Sequence, residues 1–255
     1  MRGRARFVSG LWVAALLCWT ACTSTSSTSV RYIEVGPPRY EVSCPAGDVC
    51  SESVALLVGL SAPREPTRCT AALIGPRTAV TAGHCVAWEL ANGGRCDALW
   101  LGFAQSDGLA AEWIGCERIE SASPPSPSLL SPDYAVLKLH RDASRPAIPI
   151  GEGKVVSGEV VQVLSVTADR FYDDLHQVRS RRCVVDDNRR LASSGKLHSN
   201  SIRVLSSCPI RQGSSGAPVL DDRGRLRGLV HAAGPPYFAL GVMTLLSQPI
   251  DRDDG

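Results

Sequence analysis

The chain has 255 residues, 44% of them hydrophobic, and a formal net charge of +2. That length suits one large all-β domain or two small barrels, and so weak a charge excludes the basic stripe of a nucleic-acid binder. With no Cys-x-x-Cys pair, no His-Glu-x-x-His and no glycine-rich phosphate loop, no metal, nucleotide or other cofactor is expected.

The N-terminus carries Arg2, Arg4 and Arg6, then an apolar run from Phe7 to Trp19 that is shorter than a membrane span. Thr20 and Ala21 precede Cys22. Residues 1–21 read as a targeting signal and resemble a bacterial lipoprotein signal. The resemblance implies that Cys22 is lipidated, becomes the first mature residue and holds the protein on a membrane of the bacterial cell envelope. Trp19 departs from the aliphatic residue usual three places before that cysteine. An ordinary secretory signal cut nearby, with release of the protein, is the alternative. Removal of residues 1–21 takes three of the 27 basic residues and leaves 24 against 25 acidic, about −1 by the same rule. It also removes Cys18, one of ten cysteines. With Cys22 lipidated, an even set remains without zinc-site spacing, as expected for disulfides formed in an oxidising compartment.

Residues 22–52 read as a tether and a small N-terminal loop. The Thr/Ser-rich stretch 23–31 has no periodicity and reads as a flexible spacer. Residues 32–52 hold Pro37, Pro38 and the short interval from Cys44 to Cys50. From residue 53 onward, short apolar runs alternate with Gly, Pro and polar turns, which is the all-β pattern. Strands are predicted over 54–58, 70–74, 78–82, 98–103, 112–116 and 135–139. A Pro/Ser-rich loop at 121–132 precedes the last of these. The stretch from His140 to Pro149 reads as a crossing to a second unit. There, strands are predicted over 159–166, 179–185, 201–205, 217–220, 227–231 and 240–244. His140, His176 and His198 read as surface or loop residues.

Three stretches carry chemistry. Thr81-Ala-Gly-His-Cys85 presents His84. Ser131-Pro-Asp-Tyr-Ala-Val-Leu-Lys-Leu139 sets Asp133 just before a strand. Gln212-Gly-Ser-Ser-Gly-Ala-Pro218 sets Ser215 among glycines. In kind, in order and in spacing, with 49 residues from His84 to Asp133 and 82 from Asp133 to Ser215, they resemble the chymotrypsin-like serine proteases. The likeness covers about residues 53–251. It implies two six-stranded antiparallel β-barrels, 53–147 and 148–255, with an active site between them. It implies a monomer acting on a protein or peptide substrate. Ser215 would attack the peptide carbonyl, His84 would take its proton and return it to the leaving amine, and Asp133 would hold the imidazole. Only Ser215, not Ser214, has glycines at −2 and +1, Gly213 and Gly216, which permit a tight turn. The N–H groups of Gly213 and Ser215 would form the oxyanion hole. Cys69 and Cys85 look like the family's histidine-loop disulfide. Cys44–Cys50, Cys96–Cys116 and Cys183–Cys208 are paired by nearness alone.

Ser214 is a departure. The animal trypsin branch carries Asp there, which pairs with a newly cut N-terminal amine. That switch is not expected here, since no Ile-Val-Gly-Gly start occurs. Gly-Ser-Ser-Gly-Ala-Pro is closer to the bacterial glutamyl-endopeptidase branch. Pro209 stands six before Ser215, where trypsin-like members hold the aspartate that reads Lys or Arg. His231-Ala-Ala-Gly resembles the stretch whose His contacts a substrate carboxylate, with Ala233 lining the pocket and Gly241-Val-Met-Thr as its far wall. The alternative for His231 is packing near the triad or a hydrogen bond to Asp133. Asp221 and Asp222 are expected in an exposed turn with Gly224. A catalytically silent relative that binds peptides, and an esterase on the same fold, are the functional alternatives.

Overall fold

The runs of alternating apolar residues form thirteen strands among the described residues of a computed structural model. The structure describes residues 42–43, 51–59, 67–104, 111–124, 131–168, 175–186, 202–208, 210, 213–232 and 241–245. In chain order the elements are β1 (Val42–Ser43), β2 (Val54–Gly59), β3 (Arg68–Gly75) and β4 (Thr78–Thr81). A 3₁₀ turn (Gly83–Val86) and a short helix α1 (Ala87–Ala91) follow. Next come β5 (Leu99–Ala104), β6 (Ala111–Ala122), β7 (Ala135–Leu139), β8 (Val160–Ala168) and β9 (Leu175–Asp186). The last four are β10 (Ile202–Ser206), β11 (Pro218–Leu220), β12 (Leu226–Ala232) and β13 (Gly241–Leu245). No helix among them is long and apolar enough to cross a membrane.

Strands β2 to β7 close a barrel in the order β2-β3-β4-β7-β6-β5. The remaining seven strands run β1-β9-β10-β13-β12-β11-β8, and the β8–β9 pairing curls this second sheet back on itself. The two-barrel architecture expected from the sequence is therefore the observed one. Both faces of β2 are buried, and period-two alternation explains how. Ala55 and Leu57 point into the first barrel with Leu73, Leu101, Phe103 and Leu137. Val54, Leu56 and Val58 point the other way, onto Leu164, Val166, Leu226 and Leu229 of the second sheet. The interior of the second barrel is built from Val161, Val163, Val185, Leu205, Val219 and Val230. The crossing segment is tied to both halves, because Ile148 N–H donates to the Leu73 carbonyl and Leu226 N–H to that of Pro149, each at 2.8 Å.

Among the described residues, three disulfides join Cys69 to Cys85, Cys96 to Cys116 and Cys183 to Cys208. The first two lie in the core of the first barrel and the third in that of the second. Cys44 and Cys50 lie outside the described residues, as does Cys22.

Other features differ from expectation. Strand β6 is longer than predicted, because register shifts at Cys116/Arg118 and Ile119/Ser121 interrupt its alternation without ending its pairing to β7. Strand β1, only two residues long, pairs in parallel with Leu175 and His176 of β9. Gln177 beside them bonds the Ser51 N–H through Oε1 and the Ser51 carbonyl through Nε2, both at 2.7 Å. Asp221 corrects the exposed-turn expectation: it is buried, and its carboxylate accepts from the N–H groups of Arg223 and Arg225 and from Arg225 Nε. Those three donors offset the cost of its burial and pull its carboxyl below the usual range. Asp222 is exposed.

Candidate active site

His84 is presented by an abrupt change of backbone. Strand β4 ends at Thr81, Ala82 stays extended with φ −73° and ψ 142°, and the chain enters the 3₁₀ turn with Cys85 N–H on the Ala82 carbonyl. The bond from Cys85 to Cys69 fastens that turn to β3. The His84 side chain is 48% exposed.

Asp133 lies two residues before β7 and receives His84 with both carboxylate oxygens. Oδ1 accepts the backbone N–H of His84 at 2.9 Å, and Oδ2 faces Nδ1 at 2.5 Å. An ionised carboxylate only accepts, so Nδ1 carries the proton and Nε2 is left basic. Glycine is required just before the histidine, since a Cβ on Gly83 would lie 2.7 Å from Asp133 Oδ1 and 3.0 Å from the Tyr134 carbonyl. Burial pushes the Asp133 carboxyl up. The hydrogen bond from the His84 ring, the charges of His84 and His231 and the His84 backbone N–H together outweigh it, and the carboxyl is held below its ordinary value.

The second barrel grips the same aspartate. Asp133 N–H donates to Thr244 Oγ1 at 3.0 Å, and that oxygen lies 3.0 Å from His231 Nδ1. Thr244 and His231 are 1% and 5% exposed and sit on the paired strands β13 and β12. His231 is thus buried behind Asp133, with one ring nitrogen engaged by a hydroxyl.

Ser215 lies in a turn from Gly213 to Gly216. Gly213 has φ 93° and Gly216 φ 80°, values that favour glycine. A Cβ on Gly216 would collide with the Thr70 carbonyl, the Thr81 hydroxyl and the Ala82 nitrogen. The turn therefore abuts the end of β4, two residues before His84. Gly216 N–H donates to the Val230 carbonyl at 2.6 Å, and Ala217 N–H to that of Ser214 at 2.9 Å. Ser215 is half-buried, whereas Ser214 is 1% exposed. Among the described residues no backbone carbonyl engages the N–H of Gly213 or of Ser215.

The structure brings His84 and Asp133 into direct contact and sets the Ser215 turn against the strands that carry His84. Of the pocket residues read from the sequence, Gly241 opens β13 opposite Leu205, while Pro209 and Ala233 lie outside the described residues. Cys69, His84 and Cys85 form a group whose ligand atoms lie within 4.8 Å of one another, but its two sulfurs are bonded to each other and leave only the imidazole to coordinate a metal. Sequence reasoning missed Thr244 as a partner of Asp133. Its one signal was its place in Gly241-Val-Met-Thr, a stretch already marked as a wall of the cleft.

Residues 69–229 match the trypsin-like peptidase domain. Solved structures share the fold at low identity. The scabies mite inactivated protease paralogue S-D1 is 14% identical, the match covering 76% of this chain and 87% of that one at a TM-score of 0.60. GrC is 18% identical, with 77% of this chain and 92% of that one covered at a TM-score of 0.60. The Vibrio cholerae VesB protease is 20% identical, with 76% of this chain and 60% of that one covered at a TM-score of 0.57. A comparison with curated proteins finds no match.

Proposed function

The chain belongs to the trypsin-like peptidase family, and from that premise we propose that it is an exported serine endopeptidase with His84, Asp133 and Ser215 as its triad. The observation that carries the reading is the double contact of the Asp133 carboxylate with His84, at 2.9 and 2.5 Å. It fixes the tautomer that leaves Nε2 free to take a proton. In this reading Nε2 accepts the Ser215 proton as Oγ bonds to the peptide carbonyl carbon. The N–H groups of Gly213 and Ser215 hold the resulting oxyanion. The imidazolium then protonates the departing amine, and water cleaves the acyl-enzyme by the reverse sequence. The substrate is a protein or peptide and the enzyme acts as a monomer.

The finer readings rest on sequence likeness. Preference for Glu or a small apolar residue over Lys or Arg rests on Pro209, Ala233 and His231, and the glutamyl-endopeptidase affinity on Gly-Ser-Ser-Gly-Ala-Pro. Export rests on the disulfides and on residues 1–21, and a lipid anchor on Cys22. Fluorophosphonate labelling followed by casein digestion tests the main reading. Labelling lost in Ser215→Ala together with casein cleavage is expected. Absence of label would point to a silent peptide binder, and label with ester cleavage alone to an esterase. Profiling on a mixed peptide library tests the pocket: dominant cleavage after Lys or Arg would reject it.

A further inference from the structure

Strand β3 outruns its neighbour β4 on the side that faces the second barrel. Backbone pairing with β4 reaches Ala72 opposite Val80, so the N–H and carbonyl of Thr70, two residues nearer the start of β3, lie outside that ladder. Two separate parts of the molecule complete them. Thr70 N–H donates to the Ser215 carbonyl at 2.7 Å, and the Thr70 carbonyl accepts from Thr81 Oγ1 at 2.8 Å. Its hydroxyl is shared as well. Oγ1 donates to the Gly213 carbonyl at 2.7 Å and accepts the Val166 N–H of β8 at 2.9 Å. The side chain is fully buried.

We propose that Thr70 is a positioning residue that clamps the nucleophile turn in its reactive conformation, its hydroxyl and N–H holding the carbonyls on either side of Ser214. With the Ser214 carbonyl on Ala217 N–H, all three carbonyls from Gly213 to Ser215 are drawn into the protein. Because each peptide is planar and trans, a carbonyl and the N–H that follows it point opposite ways. The bond from Ala217 to the Ser214 carbonyl thereby turns the Ser215 N–H away from it, and the two Thr70 bonds hold the peptides on either side of that one. Ser214 lacks the carboxylate that could anchor this turn through an N-terminal amine. The Thr70 clamp comes from the opposite barrel and needs no cleavage of the chain. The same hydroxyl bonds Val166 of β8, so the turn is held in register with the contact between barrels.

This inference rests on the triad reading above. Its test compares wild type, Thr70→Val and Thr70→Ser in the full chain. Valine keeps the shape and removes the hydroxyl; serine restores it. Thr70→Val is expected to lower kcat by about 10²-fold, the size typical of a misplacement near 1 Å, with KM changed less than about threefold. Inhibition by a peptide aldehyde, which forms a tetrahedral adduct at the nucleophile, should weaken in parallel with kcat, while Thr70→Ser stays within about fivefold of wild type. Active-site titration corrects each rate for the folded fraction. A Thr70→Val enzyme with lowered melting temperature but wild-type kcat per titrated site would overturn the clamp and leave the triad reading intact. Loss in Thr70→Ser equal to that in Thr70→Val would do the same. A wild-type protein that neither labels nor cleaves peptide would overturn the triad reading and the clamp together.

Discussion

Two neighbouring serines make the sharpest comparison at the residue scale. Ser215 is half-buried in the turn between positive-φ glycines, and Ser214 is sealed inward. Ser215→Ala is expected to lower kcat on the order of 10⁶-fold, and Ser214→Ala to leave most of the activity. Comparable losses in both would show that the nucleophile is wrongly chosen. Asp133 adds a pH dependence with a definite sign. Its folded carboxyl is held below its ordinary value, so its contribution to stability is complete above the unfolded-state pKa and drains away as pH falls through the folded value. Asp221 and Glu112 shift in the same direction, the latter through Arg141 and Arg145 acting against its burial. Denaturant titrations below pH 5 should therefore show stability falling with pH, and Asp133→Asn should flatten part of that limb. An unchanged acid limb in Asp133→Asn would contradict the assignment. His84 and Ser215 stand out in the sequence as candidates because each lies in a contiguous motif. The place of Thr244 between Asp133 and His231 does not, because the three are joined only by the meeting of the segment before β7 with β12 and β13.

At the scale of elements, the turn that holds Ser215 and the turn that holds His84 are braced against each other. Gly216 is the tightest point. At φ 80° with Thr70, Thr81 and Ala82 where a Cβ would stand, Gly216→Ala cannot keep the turn in place. The expected outcome is loss of fluorophosphonate labelling, read on protein whose circular dichroism still reports strand. Labelling at the wild-type rate would mean that the turn lies elsewhere. The Cys69–Cys85 bond supports the same region, and replacing both cysteines by alanine should cost roughly 2–5 kcal/mol, measured by chemical denaturation. Most strands could be read from alternation between Gly and Pro punctuation. Strand β6 was read short because its bulges break the period, β1 is too brief to show one, and α1 is a single turn of Ala-Trp-Glu-Leu-Ala. Asp221 was misread for a related reason: nothing local announced that two backbone N–H groups and Arg225 would converge on it.

For the whole molecule, the barrel-to-barrel contact is what assembles the proposed triad, because Asp133 and His84 come from one barrel and Ser215 from the other. Leu56 sits in that contact and is 2% exposed. Leu56→Ala is expected to cost about 2–5 kcal/mol by chemical denaturation. The assembly also imposes an order of events in time. Asp133 is made about midway through synthesis, yet its N–H is anchored by Thr244, 111 residues later. A nascent chain can therefore complete the Cys69–Cys85 crosslink while the aspartate that holds His84 is still unanchored, and in the proposed reading hydrolytic competence awaits the insertion of β13. Such long-range pairings form late, since loop closure is costly before contacts reward it. During oxidative refolding, label capture should lag behind the first crosslink; capture in step with it would contradict this order. In the proposed reading as an exported peptidase, that delay would keep the unfinished chain inert for as long as it is itself open to cleavage.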